Sequence, residues 1–220
     1  MTKRRKADGA TAKKLLALPA TLAERRTRRV GLFGGSFNPA HGGHLHISLL
    51  ALRLLDLDEV WWLVSPQNPL KPERGMARFE KRLVAAAEMA RHPRIRVTDI
   101  ETRLGTRYTA DTVIALKHRF PATRFVWLMG ADNLIQVSRW ARWTEIFEAV
   151  PIAVFARPSY SNRGLSGPAA RRFARRRVPP ERARQLAELP PPAWVFFPSR
   201  LDTRSATAIR TRGAAAHERR

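Results

Sequence analysis

Eleven consecutive residues carry the densest chemistry in this 220-residue chain: Gly34-Gly35-Ser36-Phe37-Asn38-Pro39-Ala40-His41-Gly42-Gly43-His44. Gly34 and Gly35 present no side chain, so backbone N–H groups there can approach a bound oxyanion. Pro39 stiffens the turn that follows. His41 and His44 stand three residues apart where helical spacing begins, which puts both imidazoles on one helix face. The first turn of a helix already favours anions through its unpaired N–H groups and the macrodipole. Two imidazoles in that position add donors for phosphate oxygens. A metal pair is the competing reading, but the stretch holds no Asp or Glu and the whole chain has no Cys. The spacing is neither the Gly-x4-Gly-Lys-Ser/Thr phosphate loop nor the Gly-x-Gly-x-x-Gly dinucleotide fingerprint.

These residues need a scaffold that delivers them to one place. Short apolar runs at Val30–Gly34, Glu59–Val64, Ile95–Ile100, Arg124–Met129, Ile152–Ala156 and Ala193–Phe197 predict strands. Helical spacing fills the gaps at Gly43–Leu55, Ala77–Arg91, Ala110–Phe120 and Trp143–Ala149, with a last short helix predicted over Thr207–Arg212. Strand and helix in alternation predict a single-domain α/β fold with a doubly wound parallel sheet. The strands are apolar throughout rather than alternating, as expected when helices cover both faces. Ligands of such sheets bind at the carboxyl ends of the strands, near the point where strand order reverses. The glycines and histidines follow the first strand and so fall at that point.

Composition narrows the class. With 44% hydrophobic residues, six Trp and ten Phe, the chain can bury a core. The absence of Cys excludes disulfides, thiolate nucleophiles and Cys-based zinc sites. No apolar run reaches the roughly 20 residues that span a membrane, and Leu15–Leu18 is short for a signal-peptide core, so a cytoplasmic protein is expected. The formal net charge of +23 is concentrated at the ends: residues 1–29 carry +8 and residues 157–220 carry +11, against +4 between them. A basic end can bind nucleic acid or attract phosphorylated substrates, and an Arg-rich solvated flank explains it equally well. Residues 1–28 read as a basic, disordered tail. Residues 29–212 read as the folded domain, with a charged insertion of loop and helix over 163–192, and residues 213–220 as a C-terminal tail.

With these residues in view, the chain resembles the nucleotidyltransferase superfamily. Gly35 through His44 is similar to its Gly-x-Phe-x-Pro-x-His-x-x-His signature, and Ser205-Ala206-Thr207-Ala208-Ile209-Arg210 to its Ser-x-Thr-x-x-Arg signature. Three further segments resemble the bacterial nicotinate-nucleotide adenylyltransferases: Ser65 through Lys71, Arg107 through Thr112, and Gly130 through Leu134 with Trp140 and Trp143 beyond. The chain departs from that pattern at Leu70, where the family often has His, and at Ser159, where Gly is usual.

The resemblance implies a Rossmann-like fold and adenylyl transfer from ATP to nicotinate mononucleotide, with pyrophosphate released, in NAD biosynthesis. It assigns His41, His44 and Arg210 to the catalytic phosphates. ATP binding then involves Gly35, Ser36, Phe37, His41, His44, Gly130, Asp132, Ser205, Thr207 and Arg210. Acceptor binding involves Asn68, Lys71, Tyr108, Thr109, Asp132 and Trp140. Mg²⁺ is expected to arrive with ATP, held by phosphate oxygens and water rather than by a protein cage. Another phosphate acceptor, such as nicotinamide mononucleotide or phosphopantetheine, is the nearest alternative, as is cytidylyl transfer. A basic nucleic-acid-binding protein is the alternative of a different class. Monomer and homodimer both suit the fold. Trp61, Trp62 and Trp143 are expected to pack, Asp111 to serve the first turn of its helix, and His46 to be structural; His92, His118 and His217 receive no role.

Overall fold

The computed structural model describes residues 27–66, 75–157 and 160–198. The expectations for the two tails, Asn68, Leu70, Lys71, Ser159, Ser205, Thr207, Arg210 and the helix at Thr207–Arg212 lie outside these residues.

Seven strands form one parallel sheet: β1 (Arg28–Gly35), β2 (Glu59–Val64), β3 (Ile95–Thr98), β4 (Thr123–Gly130), β5 (Ile152–Phe155), β6 (Arg177–Val178) and β7 (Trp194–Phe197), in the order β3-β2-β1-β4-β5-β7-β6. The helices are α1 (Gly42–Leu54), α2 (Phe79–Met89), α3 (Ile100–Leu104), α4 (Thr109–Arg119), α5 (Ala131–Gln136), α6 (Trp143–Ala149), α7 (Ser161–Leu165) and α8 (Pro168–Arg172). The chain winds outward from β1 to β3, returns to the far side of β1 and winds outward again from β4. Strand order therefore reverses between β1 and β4, which pair from Arg28↔Thr123 to Leu32↔Trp127.

The apolar runs are buried on both faces, as all six residues of β2 and all four of β5 are. Trp61, Trp62, Trp127 and Trp194 are the largest fully buried side chains. Trp143 packs edge-on against Phe147 and Phe173, so its expected packing role holds. Buried indole N–H groups need acceptors. Trp62 donates to Ser48 Oγ of α1 at 2.7 Å, and that hydroxyl donates to the His44 carbonyl at 2.9 Å. One chain of hydrogen bonds thus docks the first helix on β2.

Three details depart from the sequence reading. The first strand starts at Arg28, two residues before the expected Val30, and ends at Gly35, one residue after the expected Gly34. Ile100 opens α3 instead of closing β3. The stretch 163–192 is not a loop and helix alone: it includes β6, an edge strand, and a 3-10 helix over Pro180–Glu188. A two-residue strand is too short to read from periodicity, and only its pairing with β7, Arg177↔Trp194 and Val178↔Val195, defines it.

At the opposite end of the sheet from the glycine loop, one carboxylate ties three strands. Glu59 Oε1 lies 2.7 Å from Arg28 Nη2 of β1 and 2.7 Å from Arg96 Nη2 of β3, while Trp61 Nε1 donates to its Oε2 at 2.9 Å. Burial opposes the charge, but the hydrogen bonds from Arg96 and Trp61 outweigh it and hold the carboxyl below its ordinary range. A depressed folded-state pKa stabilises the protein above the unfolded carboxylate range and loses that contribution on acidification. Glu59→Gln is expected to destabilise by roughly 3 kcal/mol at neutral pH. The gap to the parent protein should close as pH falls through the Glu59 titration, as read by denaturant unfolding at several pH values.

Candidate active site

The carboxyl end of β1 runs into Ser36 and Phe37. A Cβ on Gly34 would sit 2.5 Å from Trp127 Cη2 of β4, so the neighbouring strand's indole demands a glycine here. That is a packing reason in addition to the access expected for phosphate. Phe37 takes φ 45, a region that opposes side chains. Its ring offsets this by stacking on Trp62 at 4.9 Å with 12° between planes. Asn38–Pro39 is a cis peptide.

His41 is the N-cap of α1 and His44 its third residue, and they form a reciprocal capping box. Gly43 N donates to His41 Nδ1 at 3.1 Å, and His41 N donates to His44 Nδ1 at 3.1 Å. A nitrogen that accepts a hydrogen bond carries no proton, so in each neutral ring the proton sits on Nε2. The fold thereby sets the tautomer of both histidines and makes each Nε2 a donor. The rings lie 3.8 Å apart by centroid. His41 is buried and His44 half-buried against Phe37 and Phe33. The expected juxtaposition at the head of a helix is present, with backbone capping as the device that orients it.

Beside this loop opens a cavity of about 360 Å³. Its lining includes Gly34, Gly35, Ser36 and Ser65 from the ends of β1 and β2, and Tyr108, Thr109, Trp140 and Ala141 from the segments beside α4 and α6. Of the expected site residues, Gly35, Ser36, Tyr108, Thr109 and Trp140 line it. Phe37, His41, His44, Gly130 and Asp132 are not on its lining: they surround the neighbouring strand ends. Asp132 stands in the first turn of α5, directly after β4, with Arg157 Nε 3.4 Å from its Oδ1. A Cβ on Gly130 would collide with that oxygen and lie 2.9 Å from Arg157 Nε. Asp111 stands in the first turn of α4 as expected, and its carboxylate pairs with Arg142 at the turn into α6.

Residues given no site role by the sequence reading also line the cavity. Arg107 and Arg139 are exposed cations on its wall, Asn133 and Gln136 add amides, and Trp127 forms part of its apolar lining. Glu101, at 6% exposure, is a buried carboxyl on the lining. Its signal in the sequence was an acid immediately after the apolar run Ile95–Ile100, but nothing there indicates which way it faces. Burial pushes Glu101 up to about 7, against a hydrogen bond from Ser65 that acts in the opposite direction.

A carboxyl raised in the folded state contributes nothing adverse below its unfolded value, and stability falls as pH rises through the folded value. Between about pH 4.5 and 7, Glu101 therefore withdraws stability on the order of 3 kcal/mol at most. Glu101→Gln should melt at a higher temperature than the parent protein at pH 8 and at about the same temperature at pH 4.5, as followed by thermal unfolding across that range.

Comparison with known proteins agrees with this geometry. The cytidylyltransferase-like family matches residues 32–212. A protein of Parvibaculum lavamentivorans named "Probable nicotinate-nucleotide adenylyltransferase" is 56% identical over 84% of this chain and 92% of its own length. A protein of Cereibacter sphaeroides with the same name is 56% identical over 84% of this chain and 97% of its own. The solved Plasmodium falciparum nicotinic acid mononucleotide adenylyltransferase complexed with NaAD superposes with a TM-score of 0.62 at 15% identity, covering 84% of this chain and 83% of that one; at that identity it speaks for the fold. The chain is a nucleotidyltransferase of the cytidylyltransferase-like family and belongs, within it, to the nicotinate-nucleotide adenylyltransferases.

Proposed function

We propose that the phosphate of nicotinate mononucleotide attacks the α-phosphorus of ATP in line. The new bond joins that oxygen to the α-phosphorus, the α–β bridging bond breaks, and pyrophosphate leaves with the bond electrons. The attacking phosphate monoester is already ionised at neutral pH, so no general base is required. Catalysis then rests on positioning and on donors aimed at developing charge. The observation that carries this reading is the pair of Nδ1-anchored imidazoles, both with protonated Nε2, at the head of α1 beside the cavity.

In this reading His41 and His44 donate to the ATP phosphates, with the N–H groups of Gly35, Ser36 and Phe37 and the α1 terminus assisting. Gly130 leaves room at the end of β4, and Asp132 accepts from ribose hydroxyls. Ser205, Thr207 and Arg210 hold the terminal phosphates, Arg210 by a bidentate fork. Tyr108, Thr109 and Trp140 enclose the pyridine ring, while Asn68 and Lys71 meet the acceptor's phosphate and ribose. Arg107 and Arg139 add positive potential, which favours the doubly anionic nicotinate acceptor over its amide. Mg²⁺ enters as part of the ATP substrate, on phosphate oxygens and water.

Pyrophosphate release from ATP and Mg²⁺ should require nicotinate mononucleotide, with parallel reactions holding nicotinamide mononucleotide, phosphopantetheine or no acceptor. His44→Ala should lower kcat/KM by roughly 100- to 1,000-fold. The fold should persist, since the variant loses one half of a capping box, worth about 1 kcal/mol. A folded parent protein that releases no pyrophosphate with any of these acceptors would sink the reading.

A further inference from the structure

Arg82 stands on the apolar face of α2, a helix that places no residue on the cavity lining. Phe79, Leu83 and Ala86 turn the same way, and Arg82 is 2% exposed among them. A guanidinium in that position loses its hydration, and burial pulls its pKa down. Such a group is retained only where hydrogen bonds replace the lost water. Four do so. Nε donates to the Ala77 carbonyl at 3.0 Å, Nη1 to those of Ser36 at 2.6 Å and Ser65 at 2.8 Å, and Nη2 to that of Pro66 at 2.8 Å.

The four carbonyls come from three separate stretches: the loop after β1, the end of β2 and the approach to α2. Two of them belong to residues that line the cavity, Ser36 and Ser65. Both accept from the same nitrogen, so the rigid fork sets the distance between them. Ser65 N also donates to the Gly35 carbonyl at 2.9 Å, and Ser65 holds the Glu101 carboxyl. Asn38 reinforces the junction: it donates to the Gly75 carbonyl at 3.2 Å and accepts from Ala77 N at 3.1 Å.

We infer that Arg82 is a positioning residue for adenylyl transfer, holding the nucleotide loop at Ser36 and the cavity wall at Ser65 in the register that in-line attack requires. It touches neither substrate and acts through the two carbonyls. The inference rests on the reading of Ser36 as the nucleotide side of the site and of the cavity as the acceptor side. A shift of about 1 Å between two halves of a reacting pair lowers rates by roughly 100-fold without abolishing binding.

Arg82→Lys and Arg82→Met separate this role from simple support of the fold. Lysine keeps the charge but offers its donors from one point, which cannot span four carbonyls on three stretches. Thermal unfolding of each variant is measured first. Then kcat and the KM values for ATP and nicotinate mononucleotide are measured well below the melting temperatures. Positioning predicts that kcat of Arg82→Lys falls roughly 10- to 100-fold, with both KM values changed far less. A kcat within threefold of the parent overturns the inference, whatever the loss in melting temperature; a larger fall with small KM changes upholds it. A rise in KM with kcat unchanged also overturns it. Should Arg82→Met fail to fold, Arg82→Lys decides alone. The parent protein in the same assay keeps the two readings apart: an inactive parent counts against the adenylyl-transfer reading, and an active parent matched by Arg82→Lys counts against Arg82.

Discussion

Everything at the candidate site depends on β1 pairing in parallel with a strand on each side, β2 and β4. Parallel pairing puts the carboxyl ends of all three strands at one edge of the sheet. The reversal of strand order between β1 and β4 sends the following helices to opposite faces and leaves a crevice between them. Gly34–Ser36, Ser65 and the Gly130–Asp132 turn are thereby brought together although the chain separates them widely. The close approach of the Trp127 indole to Gly34 makes this pairing intolerant of a side chain at that one position of β1.

On that frame the site is oriented by backbone hydrogen bonding more than by side-chain partners. The histidine rings receive N–H groups from the first turn of α1. The two loops beside them give their carbonyls to Arg82. Helix capping and loop anchoring thus perform the orienting work that second residues perform in triads. An exposed helix terminus would ordinarily satisfy itself with water; here it satisfies itself with the two imidazoles and fixes their tautomers in doing so.

The charges divide by position. At the amino ends of the strands Glu59 is surrounded by Arg28 and Arg96 and stays ionised, so it fastens β1 to β3. At the carboxyl ends Glu101 sits on a cavity wall where burial dominates and keeps its proton to about pH 7. Two glutamates of the same type differ because one meets guanidinium groups and the other a serine. Arg107 and Arg139 add two exposed guanidinium groups to the wall of the same cavity.

Local pattern alone determined the parallel α/β architecture, most strand positions and the placing of His41 and His44 at the head of the helix after the first strand, because burial on both faces, glycine access and helix-start chemistry act over a few neighbouring residues. The two signatures and the segments between them sufficed for the family. Tertiary structure alone decided that Glu101 lines the cavity, that Gly34 answers to Trp127, that Asp111 meets Arg142, and that residues 163–192 add an edge strand. It also decided which groups Arg82 meets. An arginine on an apolar helix stripe is visible in the sequence as an anomaly, yet its partners are carbonyls, and every residue type has one. Which carbonyls converge on it follows from the crossing of three chain stretches, a matter of topology that residue identity does not encode.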